Sequence, residues 1–125
     1  MLTSEEIARG KTEARCTEER LHEHDDCIRF AYEWLDAQTK LNAPNKRKTR
    51  PIKHIIERWA GRYVSTSDVE VAAHMHPDIS GEYPHFNISS RLVRPNQRRL
   101  TGLGQAHTQG YKEDDARRTY ASEEP

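Results

Sequence analysis

The strongest constraint on the fold is a stripe of apolar side chains that follows Pro51. Its members recur with the helical spacing i, i+3, i+4 and i+7, and they are Ile52, Ile55, Ile56 and Trp59. Proline is favoured at the first position of a helix, and Gly61 is a natural C-terminal stop. The pattern therefore predicts a helix between these two residues, with one face buried.

Two further apolar stripes predict helices on either side of the first. One runs over residues 25–41, where Asp25 or Asp26 can cap the helix, and it carries Phe30, Ala31, Trp34, Leu35 and Leu41. The other is capped by Ser65, Thr66 or Ser67, ends at Pro77, and carries Val69, Ala72, Ala73 and His76. Burial of one large apolar side chain contributes about 1.5–3 kcal/mol, so we expect these stripes to form the core.

The two ends of the chain carry little apolar patterning. Over residues 3–23 apolar side chains recur every seven residues, at Ile7, Ala14 and Leu21. A coiled coil needs a second apolar position in each heptad, so we expect a solvated helix with one thin apolar edge. Residues 112–125 are polar, and we expect them to form a disordered acidic tail.

The formal net charge of zero conceals a segregation of charge along the chain. Residues 1–40 carry ten acids and six bases, a net charge of −4. Residues 41–112 carry twelve bases and five acids, a net charge of +7, and residues 113–125 carry five acids and two bases, a net charge of −3. A basic middle segment of this kind favours association with nucleic acid or with an acidic protein surface.

Several classes of protein are not supported by the sequence. The chain contains no run of 18 apolar residues, and its acidic first residues do not resemble a secretory signal. Cys16 and Cys27 are too few for a disulfide framework, so we expect reduced thiols and a cytoplasmic protein. The motifs GxxxxGK[ST], GxGxxG, HExxH, GxSxG and CxxC do not occur, which favours a protein that is not an enzyme and needs no cofactor.

A fifth helix is predicted from Pro84 to about Val93, ending before Pro95. On such a helix one face carries the i, i+3, i+4, i+7 series Asn87, Ser90, Arg91 and Arg94. Arg side chains contact guanine and phosphate, Asn contacts adenine, and Ser contacts several bases. This face therefore predicts contact with DNA, the alternative being an ordinary exposed polar face.

The order of elements over residues 52–104 resembles that of winged helix-turn-helix domains, including small phage and plasmid regulators. The resemblance implies a winged-helix-like core, which we assign to residues 25–111. Together with the patterning of the two ends, this predicts a mainly α fold with an acidic N-terminal helical extension (1–24) and the disordered tail (112–125). The resemblance also implies that Ser67–His76 is the supporting helix, that 84–93 is the recognition helix, and that residues 98–111 form the wing. The turn of about eight residues between the two motif helices is longer than the usual three or four.

We therefore expect a small non-enzymatic protein that binds duplex DNA, of the bacterial or mobile-element type that regulates transcription or replication. Helix 84–94 and the basic loops are expected to make the contacts. The predicted DNA-binding residues are Asn87, Ser90, Arg91, Arg94, Arg98, Arg99, Lys46, Arg47, Lys48, Arg50 and Lys53. Proteins of this kind often dimerise, and residues 1–41 are the segment expected to form a homodimer contact.

The alternative is a protein-interaction or inhibitory module with a winged-helix core that docks a host or nucleic-acid-processing protein and does not bind DNA. Charge segregation steers protein association as readily as it steers DNA binding. The two hypotheses differ in where the cations lie. Cations that converge on one surface favour DNA, and cations that are scattered or covered by residues 1–23 favour a protein partner.

Two metal hypotheses remain secondary. Cys16, His22, His24 and Cys27 are ligand types that zinc prefers, but they lack the paired spacing of structural zinc sites. A nuclease centre would use His74 and His76 with Asp78 or Glu82, and these residues also lack an established spacing. We therefore expect no metal.

Overall fold

Four helices of nine to twelve residues and two small strand pairs form the main regular elements of the fold. The structure, a computed structural model, describes residues 1–17, 20–47, 51–113 and 115–125. The helices are α1 (Ser4–Glu13), α2 (Asp25–Asp36), α3 (Ile52–Ala60), α4 (Thr66–Met75) and the short α5 (Ala116–Thr119), with a 3-10 turn at Gln97–Leu100. The strands are β1 (Gly81–Glu82), β2 (His85–Phe86), β3 (Val93–Arg94) and β4 (Ser122–Glu123). The predicted mainly α class is confirmed.

Helix α4 lies at the centre of the molecule and packs against α1 and α2. Ser65 caps it as predicted, because the Ser65 hydroxyl accepts from Asp68 N at 3.0 Å and the Asp68 carboxylate accepts from Ser65 N at 2.9 Å. The helix ends at Met75, two residues before Pro77. All of its residues from Ser67 to Ala73 are buried, so it is surrounded by other elements on nearly every side.

Helix α3 begins and ends where the sequence predicts. Its four predicted apolar residues are buried, and Gly61 closes it in the left-handed conformation with φ of 65°. A Cβ atom at position 61 would lie 2.5 Å from the His107 ring, so glycine is needed there for both conformation and space.

Helix α2 is shorter than predicted because residues 39–41 leave it to pair with another segment. Leu41 N donates to Asn87 O at 2.7 Å, and Ser89 N donates to Thr39 O at 2.9 Å. The Gln38 side chain covers the end of the helix by donating to Trp34 O at 3.0 Å. The prediction of a helix to residue 41 is wrong because these backbone groups find partners across the chain.

The long N-terminal helix is also only partly formed. Thr3 and Glu6 form a capping box at the start of α1, but the helix ends at Glu13. Beyond it, Thr17 N donates to Glu70 Oε2 at 3.0 Å, and Leu21 N donates to the Ser67 hydroxyl at 3.0 Å. Polar side chains of α4 thus replace the helical hydrogen bonds that a helix over 3–23 would have made.

The predicted helix over residues 84–93 is wrong. Residues 85–86 form β2, which pairs antiparallel with β1, and Asn45 N donates to Phe86 O at 3.0 Å. Phe86 and Ile88 are both buried, so the apolar period in this segment is two and not 3.6. The backbone of residues 86–89 therefore pairs with residues 39–45 and not with its own preceding turn.

The C-terminal segment, residues 113–125, packs on the core, so the expected disorder is not confirmed. Strand β4 pairs with β3 in parallel, with Val93 opposite Ser122 and Arg94 opposite Glu123. Tyr120 is 7% exposed and reaches the buried face of α2.

The expected wing over residues 98–111 forms no strand. After the 3-10 turn this segment runs over the end of α3, where His107 N donates to Ala60 O at 2.8 Å. A second backbone bond, from Gln109 N to Gly61 O at 3.0 Å, holds it there. The winged-helix arrangement expected from the sequence is thus not confirmed in either its recognition helix or its wing.

Candidate functional site

Asn45 joins two segments that carry predicted DNA-binding residues. Its side-chain amide donates to Ile88 O at 3.1 Å and to the Ser90 hydroxyl at 2.8 Å. Its side-chain oxygen accepts from Arg47 N at 3.1 Å, which fixes the following turn of the loop. Asn45 is therefore the residue that places loop 45–47 beside residues 88–91.

Lys46 and Arg47 follow Asn45 directly and Arg91 follows Ser90 directly, and we call these three cations, which flank the Asn45–Ser90 bond, the cationic surface. All three are exposed. Within the described part of the chain, none of them forms an ion pair with a carboxylate. Lys48 and Arg50, which follow in the same loop, lie outside the described residues.

Two neighbours add hydrogen-bonding groups to the cationic surface. The Ser90 side chain is exposed beside Arg91, and the His85 ring contacts Asn45 O through Nδ1 at 3.3 Å. His85 was not among the predicted residues, and neither was Asn45. No local sequence signal identifies them, because their roles depend on pairing between segments about 40 residues apart.

Arg94 is not part of the cationic surface, because its side chain is paired with Glu113 of the C-terminal segment. Its Nε and Nη2 atoms lie 3.0 and 2.7 Å from Glu113 Oε1, in a bidentate pair. Glu123 adds a weaker contact at 3.9 Å. The hydrogen bond with Glu113 raises the pKa of Arg94 above its usual range, and the Glu113 carboxylate balances the charge of this guanidinium.

Arg99 is neutralised more completely. It contacts Glu124 at 2.6 Å, Asp36 at 2.9 Å and Glu33 at 3.0 Å. The bond with Glu124 raises the pKa of Arg99, and in return Arg99 lowers the pKa of Glu124. Because four charged groups satisfy one another here, Arg99 joins the helix α2 to the C-terminal segment.

The remaining predicted residues fall into different environments. Asn87 is buried and structural, since it accepts from Ser80 N at 2.7 Å and donates to Leu41 O and Asp78 O. Lys53 pairs with Glu57 at 2.8 Å and lies over the Tyr63 ring. Arg98 is exposed and contacts Asn96 Oδ1 at 3.2 Å. The predicted single face of Asn87, Ser90, Arg91 and Arg94 therefore does not exist.

Three of the four candidate zinc ligands have separate partners. The Cys27 thiol donates to Tyr63 O at 3.3 Å, and burial raises its pKa to about 12. The His22 ring contacts Asp68 Oδ1 at 2.7 Å, and His24 Nδ1 accepts from Asp26 N at 2.9 Å. Burial also raises the pKa of Cys16.

The histidines of the nuclease hypothesis are likewise engaged elsewhere. His76 Nε2 contacts Asp36 Oδ1 at 2.8 Å, and His74 lies 3.4 Å from Glu13. Among the described residues, no group of three or more His, Cys, Asp or Glu side chains is arranged to hold a metal ion.

Two clefts are open to solvent, and both carry carboxylates. One of about 480 Å³ lies between α3 and the C-terminal segment and is lined in part by Glu113 and Asp115. Another of about 600 Å³ lies between α4 and the β1–β2 hairpin and is lined in part by Glu70 and Glu82. Arg58 and Arg118 in the first cleft and Arg15 in the second lie beside these carboxylates, so each cleft has mixed charge, and the cationic surface is the better candidate for an anionic ligand.

Known proteins give no further guide to this surface. The chain matches no protein-family model, no curated protein and no solved structure. Over the residues that the structure describes, no helix combines the length and apolar character needed to cross a membrane.

Proposed function

We propose that the protein is a small, non-enzymatic DNA-binding protein that contacts the phosphate backbone of duplex DNA through the cationic surface. The observation that carries this proposal is the contact between the Asn45 amide and the Ser90 hydroxyl at 2.8 Å. Three exposed cations flank it, and none of them has a carboxylate partner in the described part of the chain. Lysine and arginine side chains bind phosphates and release counterions, which supplies most of the affinity of such proteins.

The binding is directed at the backbone and not at base sequence. Asn87 and Arg94, the two residues best suited to contact base edges, are used inside the molecule. Contacts to phosphate position a protein on the duplex without distinguishing sequences. We therefore expect similar affinity for duplexes of different sequence and a steep dependence on salt.

A modified winged-helix arrangement is part of this proposal. In it α2, α3 and α4 are the three helices, and the β1–β2 hairpin, whose β2 strand continues into residues 87–89 beside residues 39–41, is the wing. Because α4 is buried beneath α1, this version does not insert its last helix in the major groove. The hairpin side, which carries the cationic surface, is the side that would face the duplex.

The test measures binding of the full chain to a fluorescent duplex of random sequence at several salt concentrations. If the three cations each contact one phosphate, the log–log salt slope is about −2.7, since each contact contributes about −0.9. The triple variant Lys46→Gln, Arg47→Gln, Arg91→Gln is expected to lose this binding. The matched control replaces three exposed arginines elsewhere, Arg9, Arg15 and Arg117, by glutamine, which changes the net charge equally.

Two outcomes would overturn the proposal. The first is no binding by the parent chain at about 50 mM salt, a concentration at which backbone contacts are strong. The second is an equal loss of affinity in the surface variant and in the control variant, since that would show an effect of total charge alone.

A protein partner is the second candidate function. The observation that favours it is the exposed side chain of Leu41, 40% accessible, whose backbone pairs with Asn87 close to the cationic surface. An acidic protein surface with an apolar centre would contact both Leu41 and the cations. If the partner is a protein, Leu41→Asp weakens the complex. If the cations alone bind DNA, the same substitution lowers the affinity for DNA only by the effect of one added negative charge.

A further inference from the structure

Two carboxylates of the C-terminal segment contact Arg94, a residue that the sequence predicts to bind DNA. Glu113 makes three hydrogen-bond contacts with the Arg94 guanidinium, at 2.7, 3.0 and 3.3 Å. Glu123 lies 3.9 Å from the same side chain. Arg94 keeps 29% of its side-chain surface exposed, so it lies at the edge of the molecule and not in the core.

The position of Glu123 is fixed by backbone pairing. Ala121 N donates to Leu92 O at 2.8 Å, and Glu124 N donates to Arg94 O at 2.9 Å, on either side of the β3–β4 ladder. Tyr120 anchors the segment to α2, because its hydroxyl accepts a hydrogen bond from Trp34 Nε1 at 3.0 Å. Glu123 therefore faces Arg94 from an ordered strand, and Glu113 is held by its own three contacts with the Arg94 guanidinium.

The chemistry of the contact is that of phosphate recognition. A guanidinium binds a carboxylate and a phosphate with the same fork of parallel N–H donors. Arg94 lies three residues after Arg91 of the cationic surface. It belongs to strand β3, which begins at Val93 and pairs with β4. A phosphate backbone lying along the cationic surface would thus compete for Arg94 with Glu113.

We propose that residues 113–125 act as an intramolecular competitor of nucleic acid, and that Arg94 is a latent phosphate ligand which Glu113 occupies in the free protein. This proposal rests on the proposed DNA-binding function. The segment lowers affinity in two ways: it withholds Arg94, and its net charge of −3 adds a repulsive field against phosphate. Arg99 stays paired even when the segment moves, because Glu33 and Asp36 of α2 also hold it.

The test removes the competing charge and leaves the anchor in place. Glu113→Gln in the full chain keeps Tyr120 and β4, and its thermal midpoint shows that the fold is retained. We expect this variant to bind random duplex DNA roughly fivefold more tightly, with a salt slope steeper by about 0.9 for the added phosphate contact. Glu5→Gln, at an exposed position on α1, is the matched control for loss of one negative charge.

A second substitution identifies Arg94 as the group released. Arg94→Gln in the parent chain is expected to change affinity little, whereas Arg94→Gln added to Glu113→Gln abolishes the gain. The inference is overturned if Glu113→Gln binds no more tightly than the parent, if Glu5→Gln gives an equal gain, or if the gain persists without Arg94. If neither the parent nor the variant binds at about 50 mM salt, the proposed function itself has failed, and this inference with it.

Discussion

The indole Nε1 of Trp34 donates a hydrogen bond of 3.0 Å to the hydroxyl of Tyr120, a residue 86 positions later in the chain. Both side chains are buried, so water cannot replace either partner. This single bond ties the C-terminal segment to the largest side chain of α2.

Tyr120→Phe is expected to lower the free energy of unfolding by about 1–3 kcal/mol, because it leaves a buried indole N–H without an acceptor. Urea denaturation followed by tryptophan fluorescence measures the change. Tyr111→Phe is the control, since Tyr111 is 38% exposed and is expected to have no measurable effect. Equal stability of the two variants would show that the Trp34 bond contributes nothing.

Alkaline pH is expected to destabilise the protein through Cys27. Burial raises the pKa of this thiol from 9.0 to about 12, so the folded state disfavours the thiolate. Because the folded pKa is raised, the contribution is fully present below about pH 9 and is lost as the pH rises from 9 through 12. The free energy of unfolding, measured by urea at pH 8 and pH 11, is therefore expected to fall more in the parent than in Cys27→Ala. An identical fall in both proteins would exclude Cys27 as its source.

Gly10→Ala is expected to destabilise the protein although the substitution favours an isolated helix. The new Cβ would lie 2.5 Å from Met75 Sδ and 3.3 Å from Val71, on the surface where α1 meets α4. Overpacking of this kind costs about 1–3 kcal/mol, and the helix propensity of alanine recovers about 1 kcal/mol. Thermal unfolding should show a lower midpoint for Gly10→Ala and partial recovery when Met75→Ala is added. At Gly110, where no atom lies within 4 Å of a Cβ, the same substitution should be harmless.

Asn45→Ala is expected to weaken DNA binding without removing a charge. The substitution deletes the side-chain bonds to Ile88 O, to Ser90 and to Arg47 N, and loop 45–47 then loses its fixed position beside Arg91. Ordering the loop on binding would cost about 1–2 kcal/mol per residue fixed, so affinity falls by about five- to thirtyfold if one residue must be ordered again. Asn42→Ala, at an exposed position earlier in the same loop, is the control. Fluorescence anisotropy with random duplex DNA compares the two, and equal affinities would show that Asn45 does not position the surface.

The elements that the sequence predicts well carry local start and stop signals. Helix α3 lies between Pro51 and Gly61, and helix α4 follows the cap at Ser65. Each of these signals acts within one turn of the helix it bounds. Such elements need no knowledge of the rest of the chain.

The errors arise where distant segments supply the hydrogen bonds. Phe86 and Val93 are seven residues apart and fit a helical pattern, whereas Phe86 and Ile88 fit an extended one, and only the pairing with residues 39–45 decides between them. The same pairing buries Asn87, whose polar side chain resembles that of a surface residue in the sequence. Local pattern is therefore least informative in the very region that carries the candidate site.

The expectation of a disordered C-terminal tail was not confirmed, for a different reason. Among residues 113–125 Tyr120 is the one aromatic side chain, and it supplies a buried contact to a stretch that otherwise has the composition of a disordered tail. The pairs Arg94–Glu113 and Arg99–Glu124 show that opposite charges from separate segments meet in the fold. The segregation of charge along the chain predicted that such attraction was available, but not which residues would pair.

The placement of β4 beside β3 has a consequence for synthesis. During translation α2 leaves the ribosome long before Tyr120. Until then the indole N–H of Trp34 lacks the Tyr120 hydroxyl, and the edge of β3 lacks its partner strand β4. Contacts between residues so far apart in sequence form late and slow the folding of a small domain. A nascent chain arrested before residue 113 would therefore expose an unpaired strand edge and a partly open core, the features by which chaperones and proteases select incomplete chains.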